Sequence, residues 1–434
     1  MKKEKLGGRN WAAFILVGLF GQFAWTIENM YLNVFLYNTI STEPGYIAAM
    51  VGASAAAATV TTLLMGALSD RLGKRRPFIG FGYILWGLST LAFGFISPES
   101  AGALFPGLGA AAAAGTMVVV MDCVMTFFGS TANDAAFNAY VTDISSPTNR
   151  GRVESVLAIL PLVSMLIIFG FFDGLTRAGR WREFFGIFGL AVSLVGLVSL
   201  GLIKDSPGLR PRKDSYFKNL LYGLRPSVAA GNRELYLSLL ALCLFSVAVQ
   251  VFFPYLIIYI QNYLGITDYA LVLGAVLITA SVVSVLSGRA IDRLGKLKFT
   301  VPAGLVMLVG LVGMFFARSS LTVIAAGAVM MSGYMMMSAA LNANVRDWTP
   351  EDKAGHFQGI RMIFAVLLPM IIGPWIGALV ISGSDSSYVE LGQVKTVPTP
   401  EIFLAAGAVL LLTLLPLGLL RNREKSRLGA GPGI

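Results

Sequence analysis

The apolar segments of this chain are too long for a water-soluble core. They recur from Trp11 to Leu420, each about 20 residues or more with few charges inside. An α-helix needs about 20 apolar residues to cross the roughly 30 Å hydrocarbon layer of a bilayer. Twelve spans fit, at about 11–37, 45–69, 77–97, 113–142, 153–172, 183–203, 234–261, 269–290, 299–317, 321–345, 357–382 and 400–420. A membrane β-barrel would need alternating segments of about 10 residues, and these runs neither alternate nor stop so soon. Composition agrees, with 56% hydrophobic and 13% charged residues and a mean hydropathy of +0.73; soluble domains carry roughly 25% charged residues. The first run is longer than a signal-peptide core and no small-residue cleavage site follows it, so it reads as the first membrane helix.

The net charge of +10 could point to nucleic acid or anionic lipid. Its distribution points elsewhere. With the N-terminal side taken as inner, the inner segments hold 27 Lys and Arg, the outer loops hold 5, and Arg361 lies within a span. Such a bias sets orientation in the membrane. Both termini are therefore expected in the cytoplasm, in a multi-pass protein of the cell membrane, and no nucleic-acid role is needed. Cys123 and Cys243 lie in separate apolar runs without zinc or redox spacing, so no metal or disulfide is expected.

Two charged passages are written twice. Asp70-Arg71-Leu72-Gly73-Lys74 returns 222 residues later as Asp292-Arg293-Leu294-Gly295-Lys296. Asn138, Ala139, Val141, Asp143 and Gly151 return as Asn342, Ala343, Val345, Asp347 and Gly355, each offset by 204. Both echoes fall in corresponding inner loops, which indicates a duplicated six-helix unit. Parallel repeats of this kind hold solute near the midplane in known transporters. The expected fold is all-α and polytopic, with twelve transmembrane helices in two pseudo-symmetric six-helix bundles. The divisions are an N-terminal bundle, 1–203, a cytoplasmic loop, 204–233, and a C-terminal bundle with a short tail, 234–434. In the loop, Phe217, Leu220, Leu221 and Leu224 recur at helical spacing, which predicts a segment lying along the membrane surface.

"GALSDRLGKRR", 66–76, resembles the signature loop between helices two and three of the major facilitator superfamily, and its weaker copy falls after helix eight. The resemblance spans nearly the whole chain. "SDRLGKRRPFI", the end of helix four from Asn133 through Asp143 to Arg152, and "GHFQGIRMIFAVLLP", 355–369, are similar to sucrose-type transporters and glycoside–pentoside–hexuronide:cation symporters. This implies the major facilitator fold and transport by alternating access. Three departures qualify it. Sodium-using symporters carry paired carboxylates on helix two, and helix two here has none. Sucrose-type members carry an arginine where Asn138 stands. Antiporters usually show Gly-Pro in helix five; here helix five has Pro161 without it, and Gly-Pro occurs in helix eleven, at 373–374.

Acidic residues inside spans are functional candidates by default. Glu28 in helix one and Asp122 in helix four fall at similar depth, a few ångströms outside the midpoint, and are the expected cation-coupling pair. The ion is read as a proton, with sodium left open; the alternative is that both carboxyls only bond neighbouring helices. Asp134 lies about 18 Å inward of Asp122, at 1.5 Å per residue, and is paired in expectation with Arg361 as an inner gate. Gln22, Thr26, Asn29 and Asn33 form one stripe on helix one with Trp25 beside it, and Asn133 falls on the face of Asp122. Gln250, Tyr255 and Tyr259 in helix seven and Tyr334 and Asn342 in helix ten add amides and aromatics. Together they suit a hydroxyl-rich solute, while any one of them can equally be an interhelical bond. "GASAAAATVTT", 52–62, and the Met cluster 335–337 read as packing, and His356, the only histidine, as a loop-edge residue. Asp70, Arg71, Gly73, Arg75, Asp143, Arg150, Asp292, Arg293 and Asp347 are read as conformational gating charges and turns.

The expectation is a proton-coupled symporter of a sugar or related polyol, acting as a monomer without a cofactor, its partners a small-molecule solute and the lipid bilayer. The alternative is a proton-coupled exporter of another small organic solute. A membrane enzyme would need a nucleophile–base set or a metal cluster, and a sensor an added soluble domain; the sequence suggests neither.

Overall fold

A computed structural model describes residues 7–145, 150–206, 225–294, 296–350, 354–383, 387–390 and 393–429. The polypeptide is a series of long helices because hydrocarbon offers no partner to a backbone N–H or C=O. The first six are α1 (Gly8–Ile40), α2 (Pro44–Leu72), α3 (Arg76–Phe95), α4 (Ala110–Ile144), α5 (150–177) and α6 (Trp181–Leu202). Then come α7 (Arg233–Tyr263), α8 (Tyr269–Leu294), α9 (Lys296–Phe316), α10 (Ser320–Trp348), α11 (354–382) and α12 (Glu401–Arg423). Among the described residues, 11 helices are long and apolar enough to cross a membrane, and α8 contributes a shorter apolar stretch, Tyr269–Val283. The sequence pattern did not foresee a two-stranded antiparallel ribbon between α11 and α12, where Ser387–Glu390 pairs with Gln393–Thr396.

The chain separates into two compact units, Met1–Asp214 and Ser215–Ile434. The residues between them that were expected on the membrane surface, Phe217, Leu220, Leu221 and Leu224, lie outside the described residues.

In the first unit α3 and α6 pack backbone to backbone. A Cβ on Gly87 would strike the Gly189 carbonyl and Ser193, and one on Gly196 would lie 2.6 Å from the Ile84 nitrogen. Small residues of this kind drive helix association where no hydrophobic effect operates. Away from the α2–α3 turn, α6 presents Trp181, Phe184 and Phe185 to Tyr31 and Phe35 of α1, with the Tyr31 and Phe184 ring centroids 5.0 Å apart. In the second unit α9 and α10 meet at Gly310 and Gly333, each against the other helix's backbone. Gly373 and Gly377 of α11 do the same against α7 near Gln250 and Val251.

Several helices are not regular. π-helical turns interrupt α1 at Ile27–Tyr31 and Leu36–Ile40, α4 at Ser130–Phe137, α5 at Ile168–Phe172, α7 at Tyr259–Tyr263 and α11 at Ile363–Leu367. In α7 the distortion begins at Pro254, where a 3₁₀ turn spans Phe253–Tyr255; proline has no N–H for the helical ladder.

Candidate functional site

The first unit holds its polar chemistry on α1 and α4. Glu28, 7% exposed, sits in the first π-turn of α1, and the Thr126 hydroxyl of α4 donates to its Oε1 at 2.8 Å. Asp122, one turn before Thr126, is 1% exposed and has Ser54 of α2 as its polar neighbour. Glu28 lies within electrostatic reach of Asp122 and, more weakly, of Asp134. Glu28 Oε2 and Asp122 Oδ1 are buried and have no hydrogen-bond partner among the described residues. A buried carboxyl group without a cationic partner is tolerated only if something neutralises it.

Asp134 lies in the π-turn of α4 and is half-buried. It accepts hydrogen bonds from Ser130 Oγ at 3.1 Å and Asn133 Nδ2 at 3.4 Å. Asn133 is itself tied into the packing of α1, α3 and α4. The Tyr83 hydroxyl donates to the Val17 carbonyl at 2.8 Å and lies 3.1 Å from Asn133 Oδ1, and Gly21 leaves room for both side chains.

The polar stripe on α1 is interrupted. Its spacing assumed a regular helix, but the π-turn at Ile27–Tyr31 adds a residue to one turn and rotates the later positions off the stripe. The Asn29 and Asn33 amides fold back onto the carbonyls of Trp25 and Asn29, each at 2.8 Å. Thr26 donates to the Gln22 carbonyl and lies 3.1 Å from Ser164 Oγ of α5. Trp25 is half-buried and meets Trp86 edge-on, with ring centroids 5.2 Å apart.

At the α2–α3 turn the gating charges converge. Arg75 is 4% exposed and donates to Asp70 at 2.5 Å, to Asp143 at 2.9 Å and to Ser69 at 2.7 Å. Its backbone N–H and that of Arg76 donate to Asp205 Oδ1 at 2.7 and 2.9 Å, so a residue beyond α6 caps α3. Gly73 closes α2 with φ of 63°, a left-handed C-cap that favours glycine. Burial alone would pull the Arg75 pKa down, but the bonds to Asp143 and Asp70 outweigh it and hold it above the ordinary arginine value. Arg71 points into the open. The side chains of Arg150, Asp292 and Arg293 lie outside the described residues, and Asp347 is exposed.

In the second unit the half-buried Arg361 stands two residues before the π-turn of α11 and donates to Asn342 Oδ1 at 3.1 Å. Tyr334 stacks on Phe245, with centroids 5.6 Å apart. The Tyr255 hydroxyl donates to the Pro374 carbonyl at 2.9 Å, and Tyr259 stacks on Tyr263. Gln250 is half-buried beside Gly373. Asp134 and Arg361 belong to different units.

Reading the spans by hydropathy missed Asp173. Helix five ends near 172 on that reading, but α5 runs on through its π-turn to Arg177. Asp173 is 1% exposed, pairs with Arg177 at 3.0 Å and accepts from the Tyr31 hydroxyl at 3.1 Å. The i, i+4 spacing of Asp173 and Arg177 was the available signal. Thr126, Ser130 and Tyr83 were missed as well, because hydroxyls are common in membrane helices. Among the described residues no cluster of His, Cys, Asp and Glu could hold a metal ion.

The family model of the Major Facilitator Superfamily matches residues 14–273 and 238–433. The chain belongs to that superfamily. It is accordingly a secondary active transporter that works by alternating access, and not an enzyme. No curated protein matches it in sequence. Among solved structures it is similar to a D-xylose–proton symporter, at a TM-score of 0.72 and 14% identity, covering 94% of this chain and 96% of that one. It is also similar to a bacterial homologue of the human lysosomal transporter Spinster in an inward-facing, occupied conformation, at 0.68 and 13%, covering 97% and 98%. A third similar structure is the nucleoside transporter NupG, at 0.65 and 12%, covering 96% and 99%. Identities this low speak for the fold.

Proposed function

We propose that the protein is a proton-coupled symporter of a sugar or related polyhydroxylated solute. It functions as a monomer with both termini in the cytoplasm, and its two six-helix units are related by duplication. The observation that carries the coupling is the Glu28–Asp122 pair. Two buried carboxyls, on α1 and α4, lie within electrostatic reach of each other, each with an unpartnered oxygen and, among the described residues, no basic partner. A bare charge there costs several kcal/mol on the order of the penalties measured for membrane insertion, and a bound proton removes it. No carboxylate pair lies on α2, which favours a proton over sodium. The glycoside–pentoside–hexuronide:cation branch, including sucrose-type members, is the nearest reading of the α2–α3 turn and the start of α11. The half-buried Gln22, Trp25, Gln250 and Tyr334 supply amides and aromatic faces for hydroxyl-rich solutes.

The test starts with thermal stabilisation of the purified protein by sugars, polyols and nucleosides at two pH values, with and without sodium. Uptake of a stabilising sugar into proteoliposomes should follow an imposed pH gradient, and Glu28→Gln or Asp122→Asn should abolish it while solute exchange persists. Gradient-driven uptake that survives both substitutions, or that requires sodium, overturns the coupling. Outward flux in exchange for protons would identify the exporter instead.

A further inference from the structure

The α4 sequence carries a polar residue at every fourth position over 20 residues: Asp122, Thr126, Ser130, Asp134, Asn138 and Thr142. Four residues exceed one α-helical turn by about 40°, so such a row would normally wind away from its face. The π-turn over Ser130–Phe137 turns less per residue and brings the row back. Burial changes steadily along it. Asp122, Thr126 and Ser130 are 1%, 0% and 0% exposed, Asp134 is half-buried, and Asn138 and Thr142 are open to solvent. One end of the row therefore lies deep in the unit, and the other emerges at the face that carries the α2–α3 turn.

The two buried hydroxyls do not bond back to their own backbone, as serines and threonines in helices commonly do. Thr126 donates to Glu28 and Ser130 donates to Asp134. Each hydroxyl oxygen thus keeps lone pairs free to accept. Glu28 Oε2 and Asp122 Oδ1 at the deep end of the row are unpartnered, and so is Thr62 Oγ1 on α2. α2 runs parallel to α4, since Ser54 faces Asp122 and Gly66 packs on Ala135. Thr62, eight residues below Ser54, is therefore level with Ser130, eight residues below Asp122. A water needs two to four polar partners to sit in such a place; the free lone pairs of Thr126 and Ser130 supply two, and the unpartnered Thr62 hydroxyl stands at the same depth on α2. The titratable groups facing the row are Glu28 from α1, Tyr83 from α3 and Cys123 on α4; α2 adds hydroxyls only. No basic residue faces it among the described residues.

We propose that this row is a proton conduit connecting the Glu28–Asp122 pair to the half-buried Asp134, with Thr126 and Ser130 as positioning hydroxyls. The inference rests on the proton coupling proposed above. Each step moves one proton. Thr126 accepts a proton from the adjoining water while its own O–H bond breaks toward the Glu28 carboxylate. Ser130, its O–H turned from Asp134 toward that water, returns a proton to the water while its oxygen takes one from the protonated Asp134 carboxyl. After the full series Glu28 has gained a proton, and Asp134 has lost one that the aqueous phase replaces.

The test needs no solute. The full chain is reconstituted in lipid and its protonated carboxyl band is followed by infrared spectroscopy after exchange of H₂O for D₂O. Glu28→Gln, Asp122→Asn and Asp134→Asn assign the contributions. Thr126→Val and Ser130→Ala should each slow deuteration of the Glu28–Asp122 component about tenfold, or about 1.36 kcal/mol on the barrier. Asp134 should exchange at the wild-type rate. Thr126→Ser and Ser130→Thr, which keep the hydroxyl, should restore the rate. Unchanged deuteration in Thr126→Val and Ser130→Ala proteins that melt like wild type overturns the conduit while leaving the coupling pair in place. A protonated band that neither Glu28→Gln nor Asp122→Asn diminishes at any pH overturns the coupling reading, and the conduit with it.

Discussion

Replacing Arg75 with glutamine should destabilise the first unit by about 2–3 kcal/mol. Removing one partner of a buried ion pair costs about 3–5 kcal/mol. The figure is reduced here because the Asp70 and Asp143 side chains retain 29% and 22% of their exposure and water can take over part of their solvation. Glutamine can keep one of the three bonds that Arg75 makes to Asp70, Asp143 and Ser69. At about 2–4 °C per kcal/mol for a unit of this size, melting should fall by about 4–12 °C. Cys123 lies in the first unit and Cys243 in the second, both free. A Cys243→Ser background with a thiol-reactive dye therefore reports unfolding of the first unit alone. Because the Arg75 pKa is held above its ordinary value, the clamp's contribution is complete below the unfolded arginine pKa. It is lost only as pH rises through the still higher folded one. The difference between Arg75→Gln and wild type should stay constant from neutral to about pH 10. Arg75→Lys should recover little, since an ammonium cannot span three acceptors as the guanidinium fork does. A shift under about 1 °C for Arg75→Gln, or full recovery with lysine, refutes this account of the turn.

Gly87→Ala should lower melting by about 1–3 kcal/mol equivalent, the usual cost of overpacking, because its Cβ meets the Gly189 carbonyl and Ser193. Gly186→Ala on α6, where nothing lies within 4 Å, should leave melting unchanged or raise it; equal effects at the two sites would contradict the packing described for α3 and α6. Tyr83→Phe removes a hydroxyl bonded to Val17 and Asn133 and should cost about 0.6–1.7 kcal/mol, the range for membrane interhelical bonds. No change in the melt would show that Asn133 is held by something else.

Long elements were legible because membrane helices declare themselves by length, as α6 and α10 do within a few residues of their expected ends. The boundary of α5 was not, since hydropathy stops at Phe172 while the backbone continues through a π-turn to an Asp173–Arg177 pair that neutralises itself. Glu28 and Asp122 could be paired from depth alone, because each is a charge in an apolar run. The row on α4 could not. Thr126 and Ser130 are ordinary residue types in such a helix, and their alignment depends on a local change of helical pitch that has no compositional signature. The amides of α1 were misaligned for the same reason, a π-turn in the middle of the expected stripe.

The capping of α3 by Asp205 has a mechanical consequence. Asp205 lies just beyond the end of α6, and its carboxylate is fastened to the backbone of Arg75 and Arg76. The described start of the connecting segment, at Asp205, is thus moored at the α2–α3 turn as well as by its covalent bond to α6. A pull on that segment loads the turn first, and through Arg75 it loads the ends of α2 and α4 together. The charged turn is a cleat, and the line made fast to it is the link to the other half of the protein.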